Sequence, residues 1–377
     1  MVRADLGGGC SVRPRSGFVL AAATGAVLVV AGCTGRPAQG VLTPIAEIPA
    51  ENSRVDLLVA TTRRRSTTDP GEMFNGERAD ALSYAAITVS IPPDAVRKIG
   101  HVQWPTAAAG DPRRDFVTAS ADYIDRKDFA AAIALNAKKT GRSKVLIFVH
   151  GFNNRFDDAV YRFAQIVHDS KSPAIPVLFT WPSRGDVRLR SYTYDRESAN
   201  YSRDALEELL DAISSYPSIK EINIVAHSMG NWVTLEALRG RSMRGPRVAR
   251  GGPEKLKNAL LVAPDVDVDV FRTQIKRMGS YRPRILLFVS QDDSALGLSK
   301  TIWGDVPRIG DVDPTQEPYR TELERDRIAV FDLTKLRSPG DNAHSRAFDD
   351  ITEVMVMIRE RLDTETALAS RETTAAR

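Results

Sequence analysis

Cysteine is nearly absent from this sequence. Cys10 and Cys33 are the only two in 377 residues, and both lie near the N-terminus. The body of the chain therefore holds neither a disulfide framework nor a thiolate metal site. Histidine is scarce as well: there are five, none at a ligand spacing such as H-x-x-x-H. No metal and no cofactor are expected. Charge of either sign is not in excess, with a formal net charge of +4. Arginine is dispersed apart from Arg63-Arg64-Arg65, which reads as a solvated loop, so no nucleic-acid partner is expected. What the chain has in quantity is apolar material, 42% of its residues, enough to fill one large α/β domain or two smaller ones.

One stretch organises the rest. The run Glu221 to Ala226 is built on Ile and Val and reaches His227, then stops at Ser228-Met229-Gly230. Helix-forming residues resume at Asn231 and continue to Leu238. This is a strand, a tight turn with a serine at its apex, and a helix. Small residues, Ala226 and Gly230, flank the serine two positions away on either side, as a sharp strand-to-helix turn requires. Such a turn exposes the serine Oγ at the top of a sheet and aims the Met229 N–H at the same place.

The N-terminus reads as an export signal. Arg3, Arg13 and Arg15 precede an apolar segment over 17–32. That length is marginal for a spanning helix, which needs about 20 residues. Its end, Val30-Ala31-Gly32-Cys33, resembles a bacterial lipobox. The resemblance implies that Cys33 is lipidated and becomes the mature N-terminus; an uncleaved anchor or an ordinary buried helix are the alternatives. Residues 34–50 have the composition of a flexible tether. Thr34 rather than Asp follows the cysteine, so the usual inner-membrane retention signal is missing. A membrane-anchored lipoprotein of the cell envelope, facing the periplasm or the exterior, is the expectation. The folded region then runs over 51–364, with a disordered tail over 365–377.

Val55–Ala60 reads as the first strand of that region, followed by a polar loop from Thr61 to Arg78. Tyr84–Ile91 alternates as a strand, and His101–Trp104 reads as a short edge strand. Up to Asp122 the chain is an irregular β-rich lead-in, and Phe129–Leu135 has helix composition. From Lys144 the pattern is regular. Apolar strands at 145–149, 177–181, 221–227, 258–263, 285–290 and 328–332 alternate with helices at 157–168, 198–213, 231–238 and 351–362. Strands apolar throughout, interleaved with amphipathic helices, imply an α/β fold with a mostly parallel sheet covered on both faces. Sites in such sheets lie outside the carboxyl ends of the strands, where Ser228 falls.

A serine nucleophile needs a base, and the base needs an orienting acid. In a strand-turn-helix site they follow in the order Ser, acid, His. His344 is the only histidine beyond Ser228 and stands between the last strand and the last helix. It is the expected base. Asp293 is the preferred acid, with Asp292 second and Asp265 third; Asp265 and Asp267 can equally serve as turn formers. The oxyanion donors expected are the Met229 N–H and the Phe152 N–H, the latter in the loop His150-Gly151-Phe152-Asn153-Asn154. His150 is expected to support that loop and His227 to be structural. Trp181 and Ser183 are expected to wall the pocket.

The motifs Val-His-Gly-Phe-Asn, Thr-Trp-Pro-Ser, Ala-His-Ser-Met-Gly, Ala-Pro-Asp-Val-Asp and Ser-x-Asp-Asp-Ser-Ala-Leu together resemble an α/β-hydrolase. They are most similar to the bacterial group termed domain of unknown function 900, over about Val55 to Leu362. Ala226 departs from the usual first glycine but is small enough for the turn. The resemblance implies a hydrolase fold and a triad and supplies no substrate. A serine hydrolase acting on a carboxylic ester, small or lipid, or on a thioester is the leading expectation. A catalytically inactive binding or envelope-scaffolding module on the same fold is the alternative. Oligomeric state is not legible.

Overall fold

The computed structural model describes residues 40–108, 110–244, 254–302 and 304–334. The expected signal segment with Cys33, the loop at 245–253, the base candidate His344, the closing helix and the tail lie outside the described residues.

Among the described residues the centre is one nine-stranded sheet in the order β3-β2-β1-β5-β4-β6-β7-β8-β9. Its regular part is formed by β4 (Lys144–Val149), β5 (Ile175–Thr180), β6 (Glu221–His227), β7 (Leu256–Val262), β8 (Arg284–Val289) and β9 (Ala329–Asp332). All of these pair in parallel. β1 (Ser53–Arg65) joins them in parallel through β5. β2 (Phe74–Ile91) and β3 (Val117–Ile124) extend the sheet antiparallel at its edge. The sheet is thus mostly parallel, as the apolar strands imply.

Side chains alternate between two cores, one on each face. Val145, Ile147 and Val149 of β4 enter the first, with Ile222, Ile224 and Ala226 of β6. Leu146 and Phe148 enter the second, with Val225. The first core is closed by α1 (Arg126–Thr140), α4 (Arg203–Ser215), α5 (Gly230–Met243) and α6 (Val268–Met278). The second is covered by α2 (Phe156–Ser170), whose Phe156, Val160, Phe163 and Ala164 are buried. In α4 the stripe Leu206, Leu209, Leu210 and Ile213 faces inward as its spacing predicts.

The lead-in differs from expectation. β1 continues past Ala60 to Arg65 and β2 begins at Phe74, so most of the expected polar loop is a long hairpin arm. Residues 101–104 form no strand; the third strand is Val117–Ile124, a segment whose polar alternation hid it. Arg63 is not solvated: it is 1% exposed, because backbone and side-chain acceptors from distant segments surround it. The expected helix over 198–213 is two, α3 (Leu189–Tyr201) and α4. Ser202 separates them. Its hydroxyl bonds back to the Ser198 carbonyl (2.7 Å) and meets the Thr62 hydroxyl at 2.8 Å, a competing bond that bends a helix.

Among the described residues no helix is long and apolar enough to cross a membrane.

Candidate active site

Ser228 sits between β6 and α5, in the middle of the sheet, at the carboxyl end of its strand. Its φ is +51°, in the left-handed region that side chains other than glycine rarely adopt. Such a conformation costs about 1–3 kcal/mol and persists only where the surroundings over-determine it. Here they do. The Ser228 amide donates to the Val262 carbonyl (2.9 Å). The Ser228 carbonyl accepts from the Asn231 amide (3.1 Å) and the Asp265 amide (3.3 Å). It also accepts from Asn231 Nδ2 (2.9 Å), which in turn reaches the Val262 carbonyl (3.0 Å). Asn231 thereby stitches the turn to β7. In the sequence it is only the first residue of a resumed helix, and nothing there distinguishes it.

Both small residues of the turn have steric reasons. A Cβ at Gly230 would lie 2.3 Å from the His150 carbonyl oxygen and 2.7 Å from that of Val149, so α5 and the end of β4 meet only at glycine. Ala226 is wholly buried between β4 and β7, opposite Val149 and Leu261.

The loop after β4 runs against the serine. A Cβ at Gly151 would lie 2.9 Å from Ser228 Cβ and 3.0 Å from His227 Nδ1. The loop's polar groups are tied down. His150 Nδ1 donates to the Gly151 carbonyl (2.8 Å), and Asn154 Nδ2 donates to the Phe152 carbonyl (2.8 Å). The Asn154 amide donates to Ser183 Oγ (3.1 Å), and the Asn154 carbonyl accepts from Arg63 Nη2 (2.7 Å). Among the described residues, the amides of Phe152 and Met229 have no hydrogen-bond partner. Met229 stands directly before α5, so its amide also belongs to the electropositive helix end. The Phe152 ring packs edge-on against Tyr192 at 5.1 Å.

His150 is a support, as expected. It is buried, stacked on Trp181 at 5.0 Å, and its Nε2 accepts from the Thr180 hydroxyl (2.8 Å) and the Trp181 amide (3.2 Å). Burial and then the neighbouring Arg63 hold its pKa well below 6.5, so the ring stays neutral. Trp181 and Ser183 do not wall the pocket; both are fully buried beneath the loop. The Trp181 indole donates to the His150 carbonyl (2.9 Å), and the Ser183 hydroxyl donates to Asp195 Oδ2 (2.5 Å). Burial pushes the Asp195 carboxyl up to about 6, against the opposing Ser183 and Arg184 hydrogen bonds.

The acid candidates differ in surroundings. Asp293 follows β8, is buried, and caps α7 (Ser294–Ile302) by accepting from the Ala295 (2.9 Å) and Leu296 (3.1 Å) amides. Asp292 is exposed and accepts from the Ser290 hydroxyl (2.7 Å). Asp265 is buried and engaged by the Tyr192 hydroxyl (2.7 Å), the Ser299 hydroxyl (2.5 Å) and Arg308 Nε at 3.4 Å. Asp267 caps α6, accepting from the Asp269 amide at 2.8 Å.

Elsewhere, Asp94, His168 and Asp169 place ligand-type atoms together. The Asp169 carboxylate is already engaged by the Arg97 guanidinium, the Gly100 amide (2.8 Å) and the Gln165 amide (2.8 Å), which makes the group an ion-paired surface cluster.

A mostly parallel sheet flanked by helices, with a strained serine between the central strand and its helix, defines the α/β-hydrolase fold. The family model described as alpha/beta hydrolase of unknown function (DUF900) matches residues 125–361, and the chain belongs to that family. The structure is similar to a lipase-esterase related protein from Clostridium acetobutylicum, at 11% identity over 59% of this chain and 95% of that one, TM-score 0.30. It is similar to an esterase from Pyrococcus furiosus, at 14% identity over 59% and 82%, TM-score 0.33. A naproxen esterase from Bacillus subtilis is 10% identical over 85% and 93%, TM-score 0.28. No curated protein matches the chain.

Proposed function

We propose that this protein is a serine hydrolase of carboxylic esters, working through an acyl-enzyme on Ser228. The observation that carries this is the joint placement of a positive-φ serine at the head of α5 and the Gly151 loop against its side chain. The amides of Phe152 and Met229 are the donors left for an oxyanion. Such donors contribute about 3–4 kcal/mol each to the transition state.

His344 is the general base and Asp293 its orienter; the histidine's role rests on its position in the sequence, after β9. In acylation, Ser228 Oγ bonds to the ester carbonyl carbon and His344 takes the hydroxyl proton. The carbon–alkoxide bond then breaks, and His344 returns the proton to the leaving alcohol. Water repeats the sequence on the acyl-enzyme, releasing the acid and free Ser228. Asp293 suits its role because it is buried, follows β8 and is already oriented by two amides. Asp265 is the weaker candidate, since hydroxyls and Arg308 occupy it. Thioesters use the same machinery.

A fluorophosphonate probe tests the reading. Wild type labels at Ser228 and Ser228→Ala does not, with loss of roughly a million-fold in kcat against p-nitrophenyl esters. Correctly folded wild type that resists the probe identifies the inactive binding module instead. The tether is a separate proposal: lipid attached at Cys33 holds the domain to an envelope membrane. Labelled palmitate incorporated by wild type but not by Cys33→Ala supports it, and equal labelling refutes it.

A further inference from the structure

Arg63 stands on β1, 87 residues ahead of His150, outside the segment that the family model matches. It is among the largest fully buried side chains of the protein. Its guanidinium holds the underside of the oxyanion loop and the segment beside it. Nε donates to Thr180 Oγ1 (2.8 Å), and Nη1 to the carbonyls of Ser183 (2.8 Å) and Asn75 (3.3 Å). Nη2 donates to the Asn154 carbonyl (2.7 Å) and lies 3.5 Å from His150 Nε2. Through Thr180 and His150 the chain of bonds reaches the Gly151 carbonyl. Through Ser183, which binds Asp195 and the Asn154 amide, it reaches the loop's far end. A planar guanidinium presents its donors in a fixed fork, so it sets the relative positions of these acceptors as a rigid part would. The Phe152 amide lies between the two ends thus fixed.

We propose that Arg63 is a positioning residue for the oxyanion loop: it touches no substrate and sets the direction of the Phe152 N–H toward Ser228. The antiparallel lead-in is then part of the catalytic apparatus, because β1 delivers this side chain to the carboxyl ends of the parallel strands. The inference rests on the serine-hydrolase reading. Burial draws the Arg63 pKa down to about 10, against the attraction of Asp195 and Asp158, so the group remains a cation at neutral pH.

The test uses the full chain, comparing wild type, Arg63→Met and Arg63→Lys. Three quantities are measured: kcat and KM on a p-nitrophenyl ester, the inhibition constant of a boronic acid that forms a tetrahedral adduct on Ser228, and the melting temperature. Loss of an aligned oxyanion donor costs about 100-fold in kcat. Arg63→Met is expected to lose about that much with KM changed less than about threefold. The boronic acid is expected to weaken by the same factor as kcat/KM falls. Arg63→Lys reaches fewer acceptors and is expected to recover part of the loss, to within about tenfold of wild type. Should Arg63→Met fail to fold, Arg63→Lys alone decides. A folded methionine variant with wild-type kcat overturns the proposal, as does wild-type kcat in the lysine variant where that alone folds. So does a loss that falls on KM, or one that leaves boronic acid affinity unchanged. Wild type that fails to label with fluorophosphonate overturns the hydrolase reading instead, and that outcome is read before any variant is compared.

Discussion

Gly151 passes Ser228 so closely that a β-carbon on the glycine would lie 2.9 Å from that of the serine. The space between loop and serine is therefore set by a missing methyl group. Gly151→Ala must push the loop off Ser228 or push against His227, whose carbonyl would be 3.2 Å away. A displacement of about 1 Å can cost on the order of 100-fold in rate. We expect a kcat loss of that size with the fold retained by circular dichroism. Wild-type kcat in Gly151→Ala would show that the loop is not part of the site.

Gly230 has a harsher constraint, since a Cβ there would sit 2.3 Å from the His150 carbonyl oxygen. The atoms it would meet are all backbone of Val149 and His150, so little can yield. Gly230→Ala is expected to cost about 3 kcal/mol or more and to reach the insoluble fraction on expression. Urea unfolding of any soluble protein measures the loss, and a midpoint equal to wild type would contradict the close approach.

The acids can be separated by which property each substitution damages. Asn at 293 still caps α7, because its carbonyl oxygen can accept from the Ala295 and Leu296 amides that Asp293 Oδ1 serves. Asp293→Asn should keep its melting temperature and lose on the order of 10,000-fold in kcat. Asp265→Asn removes a charge from beside the buried Arg308 and should lose about 3 kcal/mol of stability. Its kcat, measured well below the melting transition, should fall far less. Asp292 is exposed, so Asp292→Asn should change both little. Equal and mild kinetic losses at 293 and 265 would refute the assignment.

Asp195 predicts a pH dependence of stability. Its carboxyl is pushed up from 3.8 to about 6 by burial, so the native state holds its proton more tightly than the unfolded chain. The stability it contributes is full below pH 3.8 and is lost as pH rises through 6. The shift amounts to about 3 kcal/mol. Asp195→Asn cannot titrate. Relative to that variant, wild type should lose about 3 kcal/mol between pH 4 and pH 7 in urea unfolding. Parallel curves for the two proteins would sink the prediction.

Much of the fold was written locally. The six regular strands from β4 to β9 are short apolar runs, and burial of both sheet faces leaves such runs few alternatives. The turn at Ser228 was legible for a related reason: an apolar strand, small residues around a serine and an immediate helix specify a strained corner. The carboxyl ends of parallel strands share one edge, so residues that follow those strands could be picked out as candidates from the sequence.

Tertiary structure decided what local pattern could not. Arg63 looks like one of three surface arginines until acceptors from Asn75, Asn154, Thr180 and Ser183 close around it. Burial of a cation depends on partners that are remote in the chain, and no window of sequence contains them. Trp181 and Ser183 lie at the right strand end for a pocket wall, yet they point beneath the loop and brace it. Ser202 breaks a helix that periodicity carries through, because its hydroxyl finds Ser198 and Thr62 together. Asp292 and Asp293 are neighbours of identical chemistry, and only packing made one exposed and the other buried. Sequence determined which groups this protein can bring to a site; three-dimensional packing determined which of them hold the loop and which are left facing the serine.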